Sequence, residues 1–478
     1  MESLTDPNKE NKKIVRRINH SKIKDGEILF MGGIYNEKGN YLHRVPYVEK
    51  TEEEIEKERL KSEEKIQQLK KIDVSKFKPI SSQELIEILG LTIKKDEENK
   101  IVTFLCQLSA YTESSQFNLS FNAPSSTGKS YIPLEIARLF PKEDVIKTGY
   151  ATPTAFFHEK GNFIKELNGY EVDLERKILI FLDQPHNLLL QHLRPLLSHD
   201  EKIILLKITD KNQKFGLRTK NILLKGFSSV IFCTAGLKID EQEATRVFLL
   251  SPETSQEKIR NAIQEKIRKE SNADVYKSWL EEKPERKLLK ERVLAIKQEG
   301  IKEIIIKSPE KIEEAFFNER RVLKPRDTRD ASRLISLIKT FALLNLWFRE
   351  RSGSTIVANE DDVSESLAIW NKISESQELG IPPYIYNIYR EVLLPAFNEK
   401  NQIPDGIPEE AIKKIGLTRQ GIITKHYQVY GRSLPDWQLR QEIIPMWESA
   451  GLIIQEADLD DKRNKLIYPT TLLTISKK

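Results

Sequence analysis

Between residues 116 and 250 the apolar positions fall into short runs separated by helical patterns. The runs are Phe117 to Phe121, Lys177 to Leu182, Ser229 to Cys233 and Val247 to Leu250. Runs of this length alternating with helices predict α/β units around a largely parallel sheet. Upstream, Ser82-Gln-Glu-Leu-Ile-Glu-Ile-Leu predicts a capped helix, and Ile101 to Ser109 predicts a second, apolar one. Residues 255 to about 325 are charge-rich and mostly helical in pattern. Leu334, Ile335, Ile338, Ala342, Leu343 and Leu346 then form a stripe with the 3.6-residue period of a packed helix. From Gly380 the pattern predicts a helix over Pro383 to Phe397, three shorter helices, and strands near Leu452 to Glu456 and Lys465 to Tyr468.

The first 75 residues are polar, and Thr51 to Lys71 are nearly all Glu, Lys, Gln and Arg. The few apolar residues there, Ile55, Leu60, Ile66 and Leu69, keep no heptad, which predicts a solvated linker helix after a poorly ordered arm. The expected divisions are 1–78 (charged N-terminal arm), 79–254 (α/β core), 255–380 (helical lid with a charged insertion) and 381–478.

Composition narrows the class. With 478 residues, at roughly 150 per domain, about three domains are expected. Hydrophobic residues at 39% and charged residues at 31% exclude collagen-like and wholly disordered material. The net charge is 77 − 72 = +5, too small to indicate nucleic acid, so that claim must rest on local clustering. Two cysteines, Cys106 and Cys233, cannot supply a disulfide framework or a zinc site. No signal-peptide order and no apolar run of about 18 residues is present, so a cytoplasmic protein without a membrane partner is expected.

The candidate chemistry follows the first strand. Asn122-Ala-Pro-Ser-Ser-Thr-Gly-Lys-Ser130 is a Walker A loop with Ala123 in place of its first glycine. Pro124, Ser125 and Thr127 complete the loop. Backbone N–H groups of Ser126 to Lys129 would form a nest for a β-phosphate, with Gly128 kept small for the approach. Lys129, expected as a solvated loop residue, would reach the β/γ oxygens, and the Ser130 hydroxyl would ligate Mg²⁺. Lys177-Ile-Leu-Ile-Phe-Leu-Asp183 has the form of a Walker B strand, with Asp183 holding the metal through its water shell. Ser229-Val-Ile-Phe-Cys-Thr234 is a third buried strand ending in a hydroxyl placed near a γ-phosphate. ATP and Mg²⁺ are the expected cofactors.

Taken in order, these segments resemble the core of an AAA+ ATPase, with Thr234 as sensor 1. Glu243-Ala-Thr-Arg-Val-Phe-Leu-Leu follows, and Arg246 stands where that family carries an arginine finger. More narrowly, residues 116 to about 380 look like the helicase module of plasmid, phage and integrated-element replication proteins, relatives of the minichromosome maintenance helicases. The resemblance implies a hexameric ATP-driven DNA helicase or replication initiator of a mobile element. It also implies a sensor 2 arginine, for which Arg329 and Arg333 are both candidates. An ATP-switched assembly factor that oligomerises on DNA without unwinding it is the alternative.

Ile203 to Thr209 and Leu217 to Leu224 predict a hairpin turning through Asp210-Lys-Asn-Gln-Lys-Phe-Gly216. Lys202, Lys207, Lys211, Lys214, Arg218, Lys220 and Lys225 give it seven basic residues against the single acid Asp210. In the related helicases such a hairpin grips single-stranded DNA in the ring channel. A lysine-protected sheet edge is the other reading. The last section looks like a winged helix. Gln438, Arg440, Lys462 and Arg463 are its candidate duplex-DNA contacts. Residues 400–478 carry only 12 basic against 10 acidic residues, so a protein contact is also open. His186, His192 and His199 show no metal-ligand spacing and read as packing or surface residues.

One residue departs from the family. Gln184 follows Asp183 where AAA+ motors place a Glu that polarises the attacking water. It leaves three readings: a slow natural ATPase, a hydrolysis-trapping substitution made in the laboratory, and a binding-only switch.

Overall fold

The computed structural model describes residues 14–18, 27–30, 33–36, 41–44, 47–51, 72–149, 162–164, 169–183, 185, 187–210, 218–234, 244–318, 323–401, 415–458 and 465–470. The chain divides into two units, Met1–Asp73 and Val74–Lys478.

The first unit holds strands β1 (Ile14–Ile18), β2 (Glu27–Phe30), β3 (Gly33–Asn36), β4 (Tyr41–Arg44) and β5 (Tyr47–Thr51). β1 pairs antiparallel with β5, while β2, β3 and β4 form an antiparallel meander. Where a poorly ordered arm was expected, these residues form strands. Their signal was present in short runs such as Ile14-Val-Arg-Arg-Ile and Gly33-Ile-Tyr, whose apolar members are β-branched or aromatic. The expected linker helix at Thr51–Lys71 lies almost wholly outside the described residues.

The second unit opens with α1 (Ser82–Gly90) and α2 (Glu97–Ser109). Ser81 caps α1 through a capping box with Glu84, which satisfies two orphan N–H donors. A parallel five-stranded sheet follows. It is built from β6 (Leu119–Asn122), β7 (Val145–Thr148), β10 (Ile178–Phe181), β13 (Ser229–Thr234) and β14 (Phe248–Leu250), in the order β14-β6-β13-β10-β7. Between its strands lie α3 (Tyr131–Ile136), β8 (Asn162–Ile164), β9 (Gly169–Asp173), α4 (Asn187–Leu197), β11 (Ile203–Asp210) and β12 (Arg218–Lys225). The last two strands pair antiparallel and extend through β9 and β8 into a four-stranded sheet.

Both faces of the parallel sheet are buried, as its unbroken apolar runs require. Ile178, Ile180, Ile231 and Cys233 enter one core, while Leu179, Phe181, Val230 and Phe232 alternate into the other. β14 is an edge strand, and its exposed backbone is not left open. The Gln377 side-chain amide donates to the Leu249 carbonyl at 2.7 Å and accepts from the Leu249 N–H at 2.9 Å. Losing that amide would strand two buried backbone groups, at about 1–3 kcal/mol each.

The helical section comprises α5 (Gln256–Ser271), α6 (Ala273–Glu281), α7 (Pro284–Glu299), α8 (Pro309–Asn318), α9 (Asp327–Leu344) and α10 (Glu360–Leu379). A small sheet of order β15-β17-β16 sits among them, from β15 (Glu303–Ile306), β16 (Glu350–Ser352) and β17 (Thr355–Ala358). The C-terminal section has its own core. It contains α11 (Pro383–Ile388) continuing through a π turn into α12 (Leu394–Lys400), then α13 (Arg419–Tyr430). α14 (Asp436–Gln438) runs through a second π turn into α15 (Ile444–Ser449), followed by the antiparallel pair β18 (Ile453–Ala457) and β19 (Lys465–Pro469). Trp447 is fully buried there and donates its indole N–H to the Ile385 carbonyl. Among the described residues no helix is long and apolar enough to cross a membrane.

Candidate nucleotide-binding site

Because all five strands of the sheet run the same way, their carboxyl ends meet at one edge. Thr234 ends β13 in register with Asn122 at the end of β6, and Phe181 of β10 is in register with Phe232. The loop Ala123–Ser130, the last residue of β13 and the turn after β10 are thereby assembled from three separate stretches of sequence. A crevice outside the carboxyl ends of the strands is the usual ligand position of such sheets. Asn122 is locked there: its amide oxygen accepts from Ser120 Oγ at 2.7 Å, and its carbonyl accepts from Ser251 Oγ at 2.6 Å.

The loop backbone has the dihedrals from which an anion nest can be built. Ser126 (φ +66°) and Gly128 (φ +96°) both adopt the left-handed region, which turns successive N–H groups to one side. A Cβ at Gly128 would meet nothing within 4 Å, so the space in front of the nest is open, while its φ still disfavours a side chain. Ala123 is fully buried, which accounts for the tolerated methyl. Pro124 is the hub of the loop: its carbonyl accepts from Thr127 Oγ1 at 2.9 Å and from Lys129 Nζ at 2.8 Å. Ser125 is exposed.

Lys129 is not the solvated residue expected from the sequence. It is 9% exposed, and burial lowers its pKa, opposed by the neighbouring Cys233 and Asp183. Asp183 lies two residues beyond β10 and is exposed, close enough to act electrostatically on Lys129. Thr234 is buried. Gln184 lies outside the described residues.

Two contributors escaped the sequence reading. The Cys233 thiol, buried and pushed up to about 12, stays protonated; it donates to the Lys129 carbonyl at 3.6 Å and is hydrogen-bonded to Ser130. Its only sequence signal is its place immediately before Thr234. Lys258, on the first turn of α5, sets its ammonium 3.5 Å from the Thr127 carbonyl and pairs with buried Asp96. No local pattern could have found it. The open nest, the Lys129 ammonium and the oxygens of Ser130 and Asp183 are a donor set that fits a magnesium-bound triphosphate.

The candidate arginines stand at the opposite edge. Arg246 precedes β14 and donates from Nε to Ser198 Oγ at 2.8 Å. Arg329, exposed on α9, donates to Thr245 Oγ1. Both line a cavity of about 270 Å³ with Asn118, Ser198, His199 and Arg333 at the amino ends of β6 and β14. β6 is four residues long, so about 13 Å of strand, more than an arginine side chain spans, separates this cavity from the phosphate loop of the same chain. Arg333 is committed to structure. It donates to the Val247 carbonyl at 2.6 Å, pairs with the fully buried Asp330 and lies over the Phe248 ring at 5.2 Å. Burial lowers its pKa to about 10. Of the two sensor 2 candidates, Arg333 is thus held by buried partners while Arg329 is exposed.

No protein-family model matches the chain, and no curated protein matches it.

The basic hairpin exists as β11 and β12, with Asp210 in register with Arg218. Lys211 and Lys214 at its tip lie outside the described residues, and Arg218 and Lys220 are placed on β12 by their backbone. In the C-terminal section Arg440 is exposed and Gln438 is half-buried in the same helical run, while Lys462 and Arg463 lie outside the described residues. His199 packs edge-on against Phe227 at 5.1 Å, in keeping with the packing role expected for it. His186 lies outside the described residues, as does the His192 side chain.

Proposed function

We propose that this chain is an ATP-driven AAA+ motor: a hexameric DNA helicase or replication initiator of a mobile element, translocating on single-stranded DNA. The observation that supports this reading is that the candidate loop residues and the candidate arginines stand at opposite ends of the sheet's strands. The nest, Lys129, Ser130, Asp183 and Thr234 stand at one edge, and Arg246 and Arg329 at the other. Phosphoryl transfer asks mainly for positioning and charge stabilisation, and an arginine supplied by a neighbour contributes several orders of magnitude in rate. Arginines at the amino ends of the strands would act on a nucleotide at the carboxyl ends of a second copy rather than of their own chain.

The basic hairpin is assigned to the single strand, because phosphate contacts need charge and little sequence information. The C-terminal helices and the β18–β19 pair are read as a winged helix. Arg440 and Gln438 on its third helical segment would face duplex DNA. Unwinding of a forked duplex by the purified chain with Mg·ATP tests the motor; binding and oligomerisation without strand separation would sink it.

Gln184 favours the second reading, an ATP-switched assembly factor on DNA, because a Gln accepts no proton. Gln184→Glu separates the two. A motor should gain tenfold or more in DNA-stimulated turnover, since general-base assistance contributes roughly 10²- to 10⁴-fold. Turnover left at background, with nucleotide-driven assembly intact, would favour the switch.

A further inference from the structure

Lys258 stands where its own helix disfavours a cation. It lies in the first turn of α5, at the positive end of the helix dipole, and its backbone N–H is committed to the Ser255 cap at 3.2 Å. Its side chain is only 10% exposed. For packing alone an apolar residue would serve there at lower cost, because a buried ion pair seldom outdoes well-packed hydrophobic side chains.

The partner acid is placed by unusual backbone. Lys95 and Asp96 adopt φ +56° and +58°, the left-handed region that non-glycine residues rarely occupy. One Asp96 carboxylate oxygen accepts from the Glu253 N–H at 2.7 Å and from Asn99 Nδ2 at 2.8 Å. The other faces Lys258.

Among the described residues the Lys258 ammonium has one further contact, the Thr127 carbonyl at 3.5 Å. That carbonyl belongs to the same peptide unit as the Gly128 N–H. In a planar trans peptide the two point in opposite directions, so a cation held at the oxygen turns the Gly128 N–H away from Lys258 and polarises it as a donor. The loop needs such a hold at this peptide above all. Gly128 sits at φ +96°, and because glycine takes either hand of φ, the peptide before it is the one free to turn over.

We propose that Lys258 is a positioning residue of the phosphate loop: it acts through the Thr127–Gly128 peptide to aim the Gly128 N–H at a bound phosphate, while Asp96 sets how much of the lysine charge the loop feels. The inference rests on the nucleotide reading above and adds a regulating pair to that site.

The two members of the pair then act on binding with opposite signs, although both belong to the fold. Lys258→Met removes the cation and should weaken Mg·ATP binding about tenfold, the scale of one hydrogen bond to a charged group. Asp96→Asn keeps the shape and the left-handed backbone, which asparagine tolerates, and removes only the opposing charge; binding should tighten by about threefold or more.

Titration calorimetry of the full chain with Mg·ATP reads both affinities, and a thermal melt of each variant records that it is folded. Weaker binding in both folded variants would make the pair a structural prop and overturn the proposal. Unchanged affinity in either variant overturns it as well. Asp96→Asn retains the lysine, so the direction of its shift decides the matter even where Lys258→Met does not fold. A wild-type chain that binds Mg·ATP and loses it in Lys129→Ala, yet is indifferent to both members of the pair, removes this inference alone. A wild-type chain that does not bind Mg·ATP removes the nucleotide reading with it.

Discussion

The Lys129 ammonium donates a 2.8 Å hydrogen bond to the Pro124 carbonyl, so the lysine that would hold phosphate is folded onto its own loop and buried. A phosphate group bound there would exchange that neutral carbonyl for an anionic oxygen.

Lys129→Ala should therefore reduce ATP turnover by about 10²-fold or more, the scale of losing a donor aimed at developing charge. The unfolding free energy should move by less than about 2 kcal/mol, because the burial that lowers the lysine pKa offsets most of its charge-assisted hydrogen bond. Turnover assays and thermal melts on one preparation check both statements. Unchanged turnover removes the central assignment.

Arg246 and the phosphate loop sit at opposite edges of the sheet, so their defects should complement. Mixing Arg246→Ala with Lys129→Ala chains creates some junctions with an intact loop on one side and an intact arginine on the other. ATPase activity should rise above that of either parent. No rise would assign Arg246 to its own chain, through Ser198.

Arg329 and Arg333 should separate cleanly. Arg333→Met leaves Asp330 buried without its closest partner and should destabilise the fold by about 3–5 kcal/mol. Arg329→Ala removes an exposed side chain, and its effect should appear in turnover with little change in stability. Urea titration of both variants decides the matter; the reverse pattern would exchange their roles.

His199 gives the fold an acid limit. Burial pushes its pKa from 6.5 down to about 4, against a small opposing effect of Asp200. Between those values the unfolded chain binds more protons, so the stability is fully present above about pH 6.5 and is lost as pH falls toward 4. Lowering pH from 7 to 5 should cost about 2 kcal/mol through this residue. His199 has φ +55°, which asparagine tolerates, so His199→Asn should show a flatter urea midpoint over that range. Parallel profiles for the two proteins would exclude the histidine.

The hairpin tip is tested by salt. Lys211→Ala with Lys214→Ala should weaken binding to a single strand and reduce the log–log salt slope by about 1.4, at about 0.7 for each phosphate contact. An unchanged slope leaves the lysines as protection for a sheet edge.

What could be read along the chain was whatever local periodicity and spacing encode. Ile178, Leu179, Ile180 and Phe181 announce a strand buried on both faces because backbone alternation exposes every side chain in turn to one core or the other. The turn of the loop Ala123–Ser130 was legible for a similar reason: it is made by local backbone dihedrals at Ser126 and Gly128, so neighbouring residues specify it. The hairpin β11–β12 likewise needs only its own two runs and the turn between them. The strands between Ile14 and Thr51 lay within reach of the same reasoning, but their high charge masked the short apolar runs.

Tertiary structure alone decided which distant residues meet. Lys258 reaches the Thr127 carbonyl and Cys233 hydrogen-bonds Ser130 across pairs of elements whose sequence spacing carries no period. Arg329 and Arg333 are one helical turn apart and chemically identical, and only the packing of α9 against β14 buries one on Asp330 while leaving the other at the cavity mouth. The burial that turned Lys129 from a solvated side chain into an enclosed one has the same origin. Sequence spacing sets what a segment does with its own backbone, whereas burial and long-range pairing depend on how separate segments fill space together.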